Sequence, residues 1–231
     1  MHVVAIASQK GGAGKSTFAV NLGALAEAEK SPVLLVDTDA QRSLTAWHGL
    51  RRSRTPLLVS CHASELEAVL DSARKRPEIE WVFVDGPPQN DEAIATMMRA
   101  ATLVIIPTRI GLFDLSSVAA TVATARRVRK PFFVAMNAVP PKRGIVESPI
   151  VQAARRSLRD MGAPVWRGAV AQRAVYAHAL ASGQAVTEFE ATGPAADEMQ
   201  QLWQDLSQAA RKMAAYQQAQ QDAKAEIKST A

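Results

Sequence analysis

The sequence predicts an α/β fold, doubly wound, with a mostly parallel sheet and helices on both faces. Two observations carry this prediction. Six short runs are apolar at nearly every position, and each is followed by a polar or Gly/Pro break that opens onto a longer stretch of helical period. A strand exposed on one face alternates polar and apolar residues. Runs that do not alternate belong to a sheet covered on both faces, as βαβ crossovers produce.

In order, the runs are VVAIAS at 3–8, VLLVD at 33–37, LLVS at 57–60, WVFVD at 81–85, LVIIP at 103–107 and FFVAM at 132–136. Ligands of such sheets sit at the carboxyl ends of the strands. Three of those ends carry residues suited to phosphate or metal: Lys10 to Lys15, Asp37 with Asp39, and Asp85. After the fifth run come Pro107 and Thr108, then a helix expected to start near Asp114, itself a good N-cap. Asn137 follows the sixth. From Ala195 to about Tyr216, Met199, Leu202, Trp203, Leu206, Ala210 and Met213 form an apolar stripe at helical spacing, predicting a terminal helix docked on the core. Residues 1–216 are expected to form a single domain and residues 217–231 a polar, flexible tail.

With 48% hydrophobic and 21% charged residues, the composition is that of an ordinary globular protein. No apolar run approaches the roughly 20 residues of a membrane span. The amino terminus lacks a basic leader and a cleavage site, so a cytoplasmic protein is expected. The single cysteine excludes an internal disulfide framework, and Cys61 reads as a small buried hydrophobe. Histidines 2, 48, 62 and 178 show no metal-ligand spacing. With the first strand starting at residue 3, no N-terminal helix-turn-helix is expected.

The segment SQKGGAGKST, residues 8–17, lies between the first strand and a helical stretch. Glycines 11, 12 and 14 let the backbone approach phosphate, and the following helix offers the positive end of its dipole. In such a P-loop Lys15 reaches the β- and γ-phosphates, Ser16 places its hydroxyl on Mg²⁺ and Thr17 contacts the α-phosphate. Gln9 stands where the strict pattern has glycine.

KGGAGKS, residues 10–16, resembles the deviant Walker A motif of the ParA/MinD family. LLVDTDAQRS resembles that family's strand-end DxDxQ element and WVFVDGPP its Walker B strand, so the likeness spans most of the chain. The resemblance implies a homodimer formed with ATP, in which Lys10 crosses to the nucleotide of the other subunit like an arginine finger. Lys10, Gly11, Gly12, Ala13, Gly14, Lys15, Ser16 and Thr17 are then the nucleotide cradle. Catalysis falls to Lys10, Lys15 and Asp39, with Asp39 positioning or activating the attacking water. Ser16, Asp37 and Asp85 are implied at the Mg²⁺ site, and Asn137 at the adenine, although a plain turn asparagine also accounts for Asn137. Ala40 replaces the family's usual proline without removing a functional group. Pro107, Thr108 and Asp114 resemble the second switch.

Between Thr124 and Arg173, eleven Lys/Arg stand against Glu147 and Asp160. That local balance of +9, in a chain of net +5, suggests a basic face for a polyanion. The candidates for non-specific DNA contact are Arg126, Arg127, Arg129, Lys130, Lys142, Arg143, Arg155, Arg156, Arg159 and Arg173. The stretch 170–186 also resembles ParA. The resemblance therefore implies a slow, Mg²⁺-dependent ATPase that loads on the nucleoid, positions a plasmid, chromosome or protein cargo, and is released by a stimulating partner or cargo adaptor protein. A MinD-like regulator at the membrane surface is the alternative, disfavoured by the glutamine-rich tail. A metabolic enzyme of the same fold is the third reading.

Overall fold

The computed structural model describes all residues but Gln89, Arg143, Ile145, Thr230 and Ala231, with the backbone alone for Leu112, Phe113 and 217–229. The strands are β1 (His2–Ile6), β2 (Val33–Asp37), β3 (Leu57–Ser60), β4 (Trp81–Asp85), β5 (Leu103–Thr108) and β6 (Phe132–Met136). The helices are α1 (Lys15–Ala28), α2 (Ser43–Leu50), α3 (Leu66–Arg74), α4 (Asp91–Ala100), α5 (Leu112–Arg127), α6 (Pro149–Asp160), α7 (Ala174–Ala181), α8 (Val186–Phe189) and α9 (Pro194–Ser229).

All six strands are parallel, in the order β3-β2-β4-β1-β5-β6. The register sets Asp37 opposite Asp85 and Asp85 opposite Ile6. Two strand-end carboxylates therefore stand beside the point where the chain leaves β1.

Because successive side chains point to opposite faces, β4 feeds two cores. Val82 and Val84 pack with Leu66, Leu70, Ile94, Met97 and Val122. Trp81 and Phe83 pack on the other face with Phe18, Leu22, Met199, Leu202 and Trp203. The predicted stripe of α9 is this contact: Trp203 meets Trp81 edge-on at 4.8 Å between ring centroids. Burying side chains of this size contributes roughly 1.5–3 kcal/mol each. The helix continues through Ser229, so the segment set apart as a tail prolongs it as backbone. Among the described residues no helix is long and apolar enough to cross a membrane.

The start of α5 differs from expectation. Gly111 is its N-cap, and its carbonyl accepts from the Asp114 and Leu115 N–H groups, leaving Asp114 inside the first turn. Cys61 is buried, and burial pushes its thiol pKa up, as suits a core hydrophobe.

Candidate functional site

The loop after β1 turns through Gly12 and Gly14, with φ of 73° and 102°, backbone that favours glycine. Gly14 is the N-cap of α1, a helix with no side-chain cap and no acid in its first turn. The N–H groups of that turn are therefore open to an anion at the positive helix end. Gln9 ties the loop to the start of α4, its side-chain amide donating to Asp91 Oδ1 at 2.5 Å.

Lys15 is buried, which lowers its ammonium pKa, while the Asp85 and Asp39 carboxylates draw it back up. Lys10, five residues earlier, is exposed. One lysine thus serves the inside of the cradle and the other faces out.

Asp85 is fully buried, and neither carboxylate oxygen has a hydrogen-bond partner. Burial dominates its acidity. The Ser16 hydroxyl, close but outside hydrogen-bond geometry, and Lys15 oppose the rise, Asp37 and Asp39 add to it, and the pKa is raised to about 7. An orphaned buried carboxylate is a costly group that a bound cation would satisfy. Among the described residues no three His, Cys, Asp or Glu gather as a metal cluster. A sparse oxygen set of Ser16 and Asp85 fits Mg²⁺, which keeps several waters and shares phosphate oxygens.

Asp37, expected at the metal site, is held by hydrogen bonds within the chain. Its Oδ2 accepts from the Thr45 N–H at 2.9 Å and the Thr45 hydroxyl at 2.7 Å, and its Oδ1 accepts from the Asp39 N–H at 3.2 Å. The cause lies in α2, whose N-cap Arg42 offers no side-chain acceptor, so Asp37 satisfies its first turn instead. Asp39 accepts from the Gln41 N–H at 2.9 Å. It faces Gly11, Gly12, Lys15 and Ser16 across a cleft of about 500 Å³ that Trp47 and Leu180 help to close.

Asn137, expected near adenine, lies against the loop. It is buried, and its amide donates to the Ala13 carbonyl at 2.8 Å. A Cβ on Gly14 would collide with that amide.

Sequence reasoning missed the braces of α2 and α1. The Trp47 indole donates to the Gln184 carbonyl at 3.2 Å, and the Asn21 side chain accepts from the Val186 N–H at 2.8 Å. Gly183, at φ 70°, packs so closely that a Cβ would meet the Leu50 backbone at 2.5 Å. No local pattern announces contacts between residues so far apart in the chain.

The basic candidates divide. Arg155 is corrected: it is buried, donates to Glu147 Oε1 at 2.6 Å and to the Trp166 carbonyl at 2.7 Å, and so is not a surface cation. A guanidinium sunk between α6 and the segment covering β6 must be fully paired. Arg173 pairs with Glu198 at 2.8 Å, Arg126 caps the carbonyls of Met161 and Gly162, and Lys130 reaches the Ala101 carbonyl. Arg127, Arg129, Lys142, Arg156 and Arg159 are exposed. Arg143 lies outside the described residues.

The family model of the CobQ/CobB/MinD/ParA nucleotide binding domain matches residues 4–223. Maintenance of carboxysome distribution protein A of Halothiobacillus neapolitanus is 30% identical over 88% of this chain and 95% of its own length. The protein of the same name from Gloeobacter kilaueensis is 34% identical over 85% of this chain and 88% of its own. Among solved structures, the septum site-determining protein MinD of Pyrococcus horikoshii, complexed with Mg-ADP, superposes with a TM-score of 0.72 at 16% identity, covering 92% of this chain and 98% of that one.

Proposed function

The chain belongs to the CobQ/CobB/MinD/ParA nucleotide-binding family, and from that premise we propose that it is an ATP-hydrolysing positioning protein that dimerises on ATP, binds DNA without sequence preference, and is released when a partner protein stimulates hydrolysis. The observation carrying this reading is the uncapped first turn of α1 facing Asp39 across one cleft, with the Asp85 carboxylate buried behind it beside Lys15 and Ser16. Phosphoryl transfer is mostly positioning and charge compensation, and such an arrangement supplies both.

In this reading the backbone from Lys10 to Gly14 and the first turn of α1 hold the phosphates. Lys15 neutralises the β- and γ-phosphate oxygens, and its stem is fixed by burial. Ser16 and Asp85 hold Mg²⁺, which when bound draws charge off the phosphate oxygens. Asp37 holds the 38–42 loop against α2, so that Asp39 keeps its carboxylate on the side where a water attacks. Lys10, exposed, reaches the nucleotide of a second copy. Asn137 supports the loop from behind through Ala13 and borders the adenosine side.

The relatives' printed function, distribution of carboxysomes, supports positioning of a protein cargo over a metabolic role. The test is binding of the purified protein to an unrelated duplex with ADP, with ATP, and with ATP plus Asp39→Ala. Binding confined to ATP and prolonged by Asp39→Ala is expected. Hydrolysis by Asp39→Ala at the unaltered rate, or DNA binding indifferent to nucleotide, would refute the reading.

A further inference from the structure

β3 ends the sheet, paired with β2 on one side and, among the described residues, with no strand on the other. The Cys61 N–H donates to the Asp37 carbonyl at 3.1 Å, so Leu57, Val59 and Cys61 bond toward β2, and the alternate residues Leu58 and Ser60 turn their N–H and C=O groups to the open side. Among the described residues no hydrogen bond reaches those groups. Open edges are normally guarded by a charge or a proline on the strand. The run LLVS carries neither, and Val59 is 38% exposed.

Beside this edge lies a groove of about 750 Å³ between β3 and α3. Leu34, Val59, Cys61, Val69, Ala73 and Ile79 give it an apolar lining. The space exists because α3 sets Leu66 and Leu70 into the core with Val82 and Val84 of β4, and offers β3 the short side chains of Ala68 and Ser72.

One end of the groove is cationic. Arg52 and Arg54 lead into β3, and Lys75 is the C-cap of α3, which runs back to the amino ends of the strands. All three are exposed, and among the described residues their side chains make no hydrogen bond or ion pair. The neighbouring acids are already used: Arg74 holds Glu67 and Asp71, and Arg76 holds Glu78.

When an extended peptide adds to a sheet edge, the open ladder supplies affinity and pockets for alternate side chains supply specificity. We propose that the β3 edge docks an extended segment of a partner protein, with alternate apolar side chains in the groove and acidic residues at the end that meets Arg52, Arg54 and Lys75. The four residues of β3 span about 13 Å, so the paired part is short. This edge faces sideways in the plane of the sheet, whereas the phosphate loop stands at the carboxyl end of β1, three strands away. Copies meeting across their phosphate loops leave it free. The inference goes beyond the ATPase reading and does not depend on nucleotide.

The experiment selects a phage library of random peptides on the full chain, with ADP and with ATP, and measures one enriched peptide by fluorescence polarisation. Enriched peptides are expected to alternate apolar and polar residues and to carry Asp or Glu at one end. Val59→Lys, which guards the edge, and Ala68→Arg, which fills the groove, alter exposed positions. Each is expected to keep its Tm and basal ATPase and to weaken the peptide at least about tenfold. Arg52→Glu/Arg54→Glu should weaken it as well and favour a counterpart with Lys in place of the acids. Binding of the peptide should slow hydrogen exchange at the Leu58 and Ser60 amides.

No enrichment, or enriched peptides that bind both groove variants as tightly as the unaltered protein, overturns the inference and leaves the ATPase reading intact. Self-association of the unaltered protein without nucleotide, abolished by Val59→Lys, would give the edge to a second copy, and loss of duplex binding alone in the variants would give it to nucleic acid; either result also overturns the inference. A chain that hydrolyses no ATP sinks the reading above, while the same selection still decides the groove.

Discussion

Arg51 and Glu188, 137 residues apart, form a bidentate ion pair, Nη1 to Oε2 at 2.7 Å and Nη2 to Oε1 at 2.5 Å. The guanidinium also lies 4.9 Å from the centre of the Trp47 ring and donates to the Gly183 carbonyl at 3.1 Å. The pair closes a frame. α2, which follows the Asp39 loop, is held to the α7–α8 turn, and that turn is held to α1 through Asn21 and Val186.

Arg51→Ala should therefore cost about 1–3 kcal/mol, a lower Tm by several degrees, since it strands Glu188 and frees the Gly183 carbonyl. A double-mutant cycle with Glu188→Ala should recover at least about 0.5 kcal/mol of coupling. Burial pushes the Glu188 carboxyl up, but the Arg51 hydrogen bond and the Ala185 N–H outweigh it and hold the pKa below the usual 4.5. A depressed acid stabilises above its unfolded pKa, so the coupling should be intact at neutral pH and fade as pH falls through the folded value. Additive single-mutant effects at pH 7 would remove the frame.

Asp85 should give the opposite pH trend. Its folded pKa is raised to about 7, so between about pH 4 and 7 the folded state binds more protons than the unfolded one. Without nucleotide and Mg²⁺, its contribution to stability should fall as pH rises across that window, by up to roughly 4 kcal/mol, and level off above it. Asp85→Asn should flatten the Tm–pH curve and abolish Mg²⁺-dependent hydrolysis. Parallel curves for the two proteins would contradict the burial argument.

Gly14→Ala meets both a φ of 102° and the Asn137 amide. Calorimetry should show at least a tenfold loss in ADP affinity, equal to about 1.4 kcal/mol. Adding Asn137→Ala should restore part of the loss by removing the collision, though not the backbone strain. Wild-type ADP affinity in Gly14→Ala would show that phosphate does not sit in this loop.

The two lysines should separate by assay. Lys15 is buried and Lys10 exposed. Lys15→Ala should lose ADP binding in the monomer. Lys10→Ala should hold ADP within about twofold and fail only in ATP-dependent dimerisation, read by light scattering and hydrolysis. Equal loss of ADP affinity in both variants would deny Lys10 its separate role.

The strand runs were legible because each signal is local. VLLVD and WVFVD needed only apolar neighbours in the chain to declare buried strands, and both fall where the structure has β2 and β4. The stripe from Met199 to Met213 declared α9 in the same way. The phosphate loop was legible because its glycines and GKST lie within ten residues. Asp114 has the chemistry of a cap without the position, because capping depends on backbone angles and Gly111, three residues earlier, adopts them.

By itself the sequence determined the parallel α/β class, the P-loop, and the three aspartates gathered near it, since period, turn chemistry and strand-end placement are written in contiguous residues. Only the tertiary structure decided how those residues are spent. Asp37 turns to Thr45, Arg155 sinks onto Glu147, and Arg51 crosses to Glu188, because each choice depends on which distant element packs beside it.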